Sequence, residues 1–265
     1  MSMPDALNWL PRILGALVLV VVAAGISRWQ QVDLEKDMLV AVVRAFVQLV
    51  IIGFVLEFIF SQSGPLWVLL IVGIMVGIAG YTAGQRAVQI PKSMLVALLS
   101  IGTGTALTLG LLVILHVFPF EPRFMIPIAG MIVGNTMTVT ALVMNRLRND
   151  VKLQRPQIEA ALALGATSRQ AARGQLRRAL ATGMMPIIDN TKTVGLISLP
   201  GAMTGMILGG ASPLEAVQLQ IVVMYMLVGA AALSGLTAVF LTHPQFFTRA
   251  HQLLASSLAN DEQPI

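Results

Sequence analysis

The chain lacks cysteine altogether and is poor in charged side chains. Without cysteine it cannot form disulfides, thiolate metal sites or a cysteine nucleophile. Charged residues make up 11% of the 265 residues, whereas soluble globular proteins average about a quarter. Hydrophobic residues make up 56%, and the mean hydropathy is +0.82. Because so few charges cannot cover a water-soluble domain of this size, most of the surface is expected to face lipid.

The sequence also lacks the motifs of several enzyme and binding classes. No GxxxxGK loop followed by Ser or Thr is present, so the chain is not expected to hydrolyse ATP by that route. Histidines are scattered at His116, His243 and His251, and no nucleophile–base pair or compact metal site is apparent. The net charge of +5 is attributed to basic loops at a membrane rather than to nucleic-acid binding.

Apolar runs take up most of the chain. A membrane-spanning helix needs about 20 predominantly apolar residues, and these runs do not alternate with period two, which argues against a barrel of strands. We therefore predict an all-α integral membrane protein: a polytopic bundle of about seven transmembrane helices in a single transmembrane domain, residues 1–265. The predicted spans are residues 7–26, 38–60, 65–81, 93–117, 124–144, 192–208 and 214–241.

Lysine and arginine set the orientation, because they are enriched in short cytoplasmic loops. The connection over residues 145–180 is strongly basic and is therefore predicted to be cytoplasmic. Alternation from there places the N-terminus outside and the C-terminal tail, residues 242–265, inside. The expected location is the cell (inner) membrane. The basic residues of the connection are Arg146, Arg148, Lys152, Arg155, Arg169, Arg173, Arg177 and Arg178.

The same connection, residues 145–180, is predicted to form two short helices separated by a glycine. Pro156 suits a first helical turn, and Gly165 suits a helix end. Thr167 and Gln170 have the spacing of a capping box that opens the second helix. One alternative is an interfacial helix that arginines hold to anionic lipid. The arginines expected to share one face of the second helix are Arg169, Arg173 and Arg177.

Residues 159–166 read EAALALGA, which resembles the EAA motif of ABC-transporter permeases. In those permeases a short helix with this motif docks into a groove of a cytoplasmic ATPase. The motif's Ile-x-Leu-Pro end is not clearly present, since Gln175 stands ten residues beyond the glycine. The resemblance implies that the ATPase-coupling residues are Glu159, Ala160, Ala161, Gly165 and Ala166.

Longer strings resemble the FetB-like family of ABC permease subunits. They are RAFVQL (44–49), MIVGNTMT (131–138), LPGAMTG (199–205), GASPLEA (210–216) and QIVVM (220–224). That family is implicated in iron export and metal tolerance, and its plant members are linked to aluminium resistance. The resemblance implies the permease subunit of an ABC-type exporter of metal ions such as iron. It also implies a separate ATPase subunit that binds ATP and Mg²⁺, a permease homodimer, and no cofactor on this chain.

Polar side chains within spans are costly and mark candidate substrate contacts. Glu57 and Asn135 could offer oxygens along a pathway, with Thr138 on the face of Asn135. Met203 is a candidate because it lies in a family-like string and thioethers bind soft metals. The alternatives are an outer-interface position for Glu57, interhelical hydrogen bonds for Asn135 and Thr138, and packing for Met203.

The predicted sixth span, residues 192–208, carries two further signals. Asp189 and Lys192 have the spacing of an ion pair where the chain re-enters the membrane; a role in coupling ATPase motion to the span is the alternative. Pro200 and Gly201 are expected to break the helix, and the carbonyls freed there could line a cavity.

Two other functions are alternatives to an ABC permease. An ion-coupled secondary transporter would need embedded acids, of which Glu57 is the one candidate, and it would commonly show an inverted repeat, which is not visible. A membrane-embedded enzyme would need a catalytic constellation, and none is apparent. The ABC permease is therefore the preferred interpretation.

Overall fold

The computed structural model describes residues 3–60, 64–87, 90–248 and 250–254, and these are almost entirely helical. The described part has no strand beyond two isolated bridges. The predicted all-α class is therefore confirmed. The helices are α1 (Met3–Trp29), α2 (Glu35–Phe60), α3 (Pro65–Arg86), α4 (Ser93–Ile114), α5 (Pro122–Leu153), α6 (Arg155–Ala163), α7 (Ser168–Ala171), α8 (Arg173–Thr193), α9 (Gly201–Leu208), α10 (Pro213–Thr242) and a 3₁₀ turn (His243–Phe246).

Five of the described helical stretches are long and apolar enough to cross a membrane. A shorter apolar stretch, Ile13–Trp29, lies in α1. Large apolar side chains such as Leu19, Leu66 and Ile114 are exposed on these helices, as expected where the surrounding solvent is hydrocarbon. The five stretches are Glu35–Val55, Pro65–Arg86, Ser93–Ile114, Pro122–Leu153 and Pro213–Phe246.

The predicted sixth span, residues 192–208, is wrong as a single helix. α8 ends at Thr193, the chain leaves the helical conformation over residues 194–200, and α9 has only 8 residues. At 1.5 Å per residue α9 is about 12 Å long, against roughly 30 Å of hydrocarbon core. The cause is local: Gly195 has φ +82°, and Pro200 cannot donate the backbone hydrogen bond that a helix needs.

The chain divides into two compact units, Met1–Gln62 and Ser63–Ile265. In the first unit α1 packs against α2, and a tight connection joins them. The Leu34 amide donates to the Ser27 hydroxyl at 3.1 Å, and the Val32 amide donates to the Ser27 carbonyl at 3.0 Å. One buried serine therefore holds the middle and the end of this connection.

In the second unit α5 packs against α3, α4, α8 and α10. Its fully buried side chains Val143, Met144 and Leu147 belong to the main core cluster. A second cluster surrounds Met125 and Ile132, nearer the start of the same helix. α5 therefore contributes to both core clusters of the second unit and contacts helices before and after it in the chain.

Glycines allow helices of the second unit to approach closely. A Cβ on Gly84 would lie 2.6 Å from the Met94 Cα, where α3 meets α4. A Cβ on Gly183 would overlap the Val143 side chain, where α8 meets α5. Small residues have this role at helix contacts in membranes, where packing replaces the hydrophobic effect as the driving force.

Candidate functional site

The break between α8 and α9 borders a cavity of about 320 Å³ against α10. Non-helical backbone at membrane depth is expected only where it lines such a space or is buried in protein. The helix break predicted at Pro200 and Gly201 is therefore present, although it begins earlier, at Val194. Lining residues that bear on its chemistry are Thr191, Gly195, Met203, Gln220, Met224 and Tyr225.

Gln220 is the most deeply buried polar side chain of this cavity. It is 6% exposed, and its Oε1 has no hydrogen-bond partner within the described residues. Thr191, by contrast, is satisfied: its hydroxyl donates to the Ile187 carbonyl at 2.7 Å and lies 3.9 Å from the Met224 sulfur. Because buried polar atoms are nearly always paired, the free amide oxygen marks a point where a ligand could bind.

The cavity offers neutral ligands for a cation. The Gln220 oxygen suits harder ions, while the thioethers of Met203 and Met224 suit softer ones. No group of three or more His, Cys, Asp or Glu side chains that could hold a metal lies together in the described part. Neutral ligands bind a cation weakly enough for it to leave, as passage through a pathway requires.

The predicted pathway residues fall in different places. Met203 lines the cavity, whereas Asn135 and Thr138 lie on one face of α5 and do not contribute to it. Asn135 is half-buried; Thr138 is exposed, and its hydroxyl donates to the Gly134 carbonyl at 3.1 Å. The Glu57 side chain lies outside the described residues. The described candidates therefore occupy two locations, the cavity and a polar face of α5.

Gln220 and Thr191 were not identified as site residues from the sequence. Gln220 did leave a signal, since an amide inside a long apolar run is costly in a bilayer. Thr191 left none, because only the tertiary fold brings the last turn of α8 beside Met224 of α10.

α6 carries predicted coupling residues on a helix with one buried and one exposed face. Ile158 is fully buried, and Leu162 packs against the main core. On the other face Glu159 and Ala160 are exposed. Leu164, the first residue after the helix, is 90% exposed. The buried face fixes the helix on the protein, and the exposed face presents small, acidic and apolar groups.

A glycine ends α6 in the manner predicted. Gly165 has φ +89°, and its amide donates to the Leu162 carbonyl at 3.0 Å. The Ala166 amide donates to the Ala161 carbonyl at 3.1 Å. These two bonds define a Schellman motif, which needs a left-handed residue at the glycine position. Ala161 and Ala166 are half-buried, so they are less accessible than the rest of the predicted coupling set.

Glu159 is paired within its own helix. Its carboxylate lies 2.7 Å from Arg155 Nε, and both side chains are nearly half exposed. Such exposed pairs contribute only about 0.3–0.5 kcal/mol. The carboxylate of Glu159 can therefore exchange this partner for another at little cost.

Polar contacts tie α8 to the end of α5. The buried Asp150 carboxylate lies 3.1 Å from Arg146 Nε and 3.4 Å from Arg178 Nε. Gln154 Oε1 accepts hydrogen bonds from Arg178 at 2.7 Å and from Gln175 at 2.8 Å. Gln175, at the position expected for the motif's isoleucine, is buried and serves this contact. Gln175, which stands where the EAA motif has isoleucine, therefore helps to hold α8 against the end of α5.

The helices that follow Gly165 agree with prediction in three respects and differ in one. The Gln170 amide donates to the Thr167 hydroxyl at 3.3 Å, and the Thr167 amide donates to Gln170 Oε1 at 2.9 Å, which completes the capping box. The Asp189–Lys192 pair is present at 3.5 Å. The predicted second helix is interrupted at Ala172 and so consists of α7 and α8. The arginines predicted to share a face line one groove: Arg169, Arg173 and Arg177.

Long apolar helices, together with a broken helix beside a cavity, are the architecture of a multi-pass membrane protein. The chain belongs to the UPF0014 family, described as an uncharacterised protein family, whose model matches residues 10–247.

Relatives from plants and bacteria match nearly the whole chain. It is 57% identical over 246 residues to Protein ALUMINUM SENSITIVE 3 of Arabidopsis thaliana, covering 93% of this chain and 90% of the relative. It is 56% identical over 246 residues to UPF0014 membrane protein STAR2 of Oryza sativa subsp. japonica, covering 93% and 86%. It is 40% identical over 243 residues to the Probable iron export permease protein FetB of Escherichia coli, covering 92% and 94%. No solved structure matches the chain. The family resemblance stated from the sequence strings is therefore confirmed.

Proposed function

We propose that the chain is the permease subunit of an ATP-driven, ABC-type exporter of metal ions, with iron as the first candidate substrate. The observation that carries the proposal is the 40% identity over 92% of this chain to a protein named as a probable iron export permease. ATP hydrolysis is assigned to a separate subunit that binds ATP and Mg²⁺, because the sequence has no phosphate-binding loop of its own. The chain itself is then a transport subunit and not an enzyme.

The exposed face of α6 is the proposed docking surface for that ATPase. Ala160 allows a partner groove to approach the helix backbone, Glu159 offers a charge, and Leu164 offers an apolar anchor. A helix that docks into a groove uses these three kinds of contact. The buried Ile158 and the contacts around Asp150 would hold the helix in place while the ATPase moves.

The substrate pathway is proposed to include the cavity around Met203 and Gln220 and the face of α5 around Asn135 and Thr138. A polar face turned towards hydrocarbon is unfavourable, and Thr138 is exposed on this face. A second copy of the permease would cover it and place the polar groups along a shared passage. ABC permeases work as pairs, so a homodimer also offers two docking helices to two ATPase subunits.

In the proposed orientation the N-terminus is outside, and α6 and the C-terminus are cytoplasmic, in the cell (inner) membrane. The support is the concentration of arginine and lysine in residues 145–180. This orientation places the docking surface on the side where ATP is available.

Reconstitution tests the proposed function directly. The chain and its ATPase are inserted into proteoliposomes, and metal accumulation in the lumen is followed for ferrous iron and a panel of other metals, with the ATPase facing outward. We expect accumulation only with ATP and Mg²⁺ outside, and none with an ATPase whose catalytic glutamate is replaced. Accumulation driven by a proton or sodium gradient without the ATPase would favour the ion-coupled secondary transporter instead.

A further inference from the structure

A basic groove lies between the start of α8 and the C-terminal half of α10, with a volume of about 430 Å³. It shares no lining residue with the cavity beside α9 and includes none of the exposed residues of α6. Its lining combines arginines from α7 and α8 with apolar side chains from α8 and α10.

The positive charge of the basic groove is not neutralised by the described protein. Arg169, Arg173 and Arg177 are exposed, and none of them has a carboxylate partner within the described residues. Arg178, on the same helix, does have one, since it is paired with Asp150 at 3.4 Å. Within the described residues, the arginines that face the groove therefore remain available to bind an anion.

The other wall of the basic groove is apolar. Leu176 and Leu180 line it from α8, and Leu236 and Phe240 line it from α10, where they are 41% and 51% exposed. The Arg169 guanidinium lies 5.0 Å from the centroid of the Phe240 ring. α10 belongs to a stretch long and apolar enough to cross a membrane, so this wall continues into the bilayer.

A ligand for this groove must combine a strong anion with a hydrocarbon chain. A soluble phosphate would pair with the arginines but would leave Leu236 and Phe240 uncovered, and a neutral lipid would cover those side chains but leave the arginines unpaired. Basic pockets beside membrane helices bind the head groups of anionic lipids. We propose that the basic groove binds an anionic phospholipid, with its phosphate among Arg169, Arg173 and Arg177 and an acyl chain along α10.

The bound lipid would stabilise the first turns of α8, which lead from the proposed docking surface towards α5. This inference rests on the chain lying in a bilayer, and it holds whichever substrate or energy source the permease uses.

The test uses the full chain, purified in neutral detergent. Dioleoylphosphatidylglycerol, dioleoylphosphatidylcholine and soluble glycerol 3-phosphate are added separately, and bound lipid is counted by native mass spectrometry while the thermal midpoint is recorded. We expect phosphatidylglycerol to stay bound and raise the midpoint by several degrees, and neither of the other probes to do so. An equal effect of phosphatidylcholine, or of glycerol 3-phosphate alone, would overturn the proposal.

Variants locate the site. Each juxtamembrane basic residue strengthens anionic-lipid binding about fivefold, so Arg173→Gln should weaken phosphatidylglycerol binding about fivefold. Replacing all three groove arginines by glutamine should weaken it on the order of 100-fold. Phe240→Ala should weaken binding of the same lipid through its acyl chain. A matched control removes as many positive charges elsewhere, at exposed positions: Lys36→Gln, Arg86→Gln and Arg123→Gln.

The control triple variant should retain the phosphatidylglycerol effect. Wild-type lipid binding by the groove triple variant would overturn the proposal. If the triple variant does not fold, the single variants Arg169→Gln and Arg173→Gln are tested instead, and wild-type lipid binding by both would likewise overturn it. A groove variant that lowers the oligomeric mass of the complex without releasing lipid would also overturn it, because the groove would then be an interface between copies of the chain.

Discussion

The Gln220 side chain on α10 is buried, and its amide oxygen has no hydrogen-bond partner within the described residues. These two properties lead to a prediction about both stability and transport. Leucine has a similar size and no polar atom, so Gln220→Leu should leave stability unchanged or raise it by about 1–3 kcal/mol. The cavity would lose its most buried ligand, and metal transport should fall about tenfold, the equivalent of 1.4 kcal/mol. Thermal unfolding and proteoliposome transport, measured on one preparation, check the two effects.

Gln218 supplies the matched control, since it lies two residues away on the same helix and is exposed. Gln218→Leu should change neither the thermal midpoint nor transport appreciably. If Gln220→Leu transports metal at the wild-type rate, Gln220 does not belong to the pathway, whatever its effect on stability.

Asn135 supports a second prediction, at the polar face of α5. Asn135→Ala should lower transport. Expression and ATPase binding should stay intact, because the Asn135 side chain makes no hydrogen bond within the described part that the substitution would remove. Thr138→Val should have a smaller effect, since that hydroxyl already donates to the Gly134 carbonyl. Glu57→Gln should also lower transport, on sequence grounds alone. Wild-type transport by both Asn135→Ala and Glu57→Gln would assign these residues to packing.

Residue roles could be predicted from the sequence where a local rule fixes them. The capping box at Thr167 and the left-handed Gly165 depend on neighbours a few residues away, and both are present. The pairing of Arg178 with Asp150 depends on contacts between residues 28 positions apart, which a single sequence does not display.

α6 carries the element-scale prediction. Ala160 is exposed on the face proposed to dock, so Ala160→Trp should clash with the partner groove and abolish co-purification with the ATPase. The chain should keep its own stability, because the added ring points away from Ile158 and the core. Pull-down stoichiometry and ATP hydrolysis coupled to transport measure the effect.

Ala181 on α8 provides the control, because it is exposed and lies outside α6. Ala181→Trp should still co-purify with the ATPase. Wild-type stoichiometry with Ala160→Trp would show that α6 is not the docking helix and would support a lipid-associated helix instead.

Most long helices could be predicted from the sequence because a membrane span is fixed by apolar length, a local property. The predicted spans at residues 38–60, 65–81, 93–117, 124–144 and 214–241 overlap α2, α3, α4, α5 and α10. The prediction of a single helix over residues 192–208 failed because the chain leaves the helical conformation over residues 194–200, although most of these residues are apolar. The contact between Gly183 and Val143 and the pairing of Arg178 with Asp150 are both long-range and invisible to a hydropathy pattern.

At the scale of the whole molecule, the two ends of α5 are predicted to lie on opposite sides of the membrane. The absence of native cysteine makes this testable with single cysteines at exposed positions. Glu121→Cys, just before α5, should react with a membrane-impermeant maleimide in intact cells. Gln157→Cys, on α6, should react only after permeabilisation.

The two positions serve as controls for each other, because they share one chain and one expression level. Labelling of Gln157→Cys from outside, with Glu121→Cys protected, would invert the orientation and place the proposed docking surface beyond the reach of a cytoplasmic ATPase.

The length of α5 gives the proposed exporter a mechanical property. Its 32 residues extend about 48 Å, against roughly 30 Å of hydrocarbon. About 22 Å of continuous helix separates Asp150, which pairs with α8, from Asn135 on the polar face of α5. A displacement of α5 near Asp150, caused by movement of the ATPase, would therefore be transmitted to Asn135, because the helix is uninterrupted between these two residues. Helices bend most readily at proline, so Pro127, near the other end of α5, is the position where we expect the helix to bend.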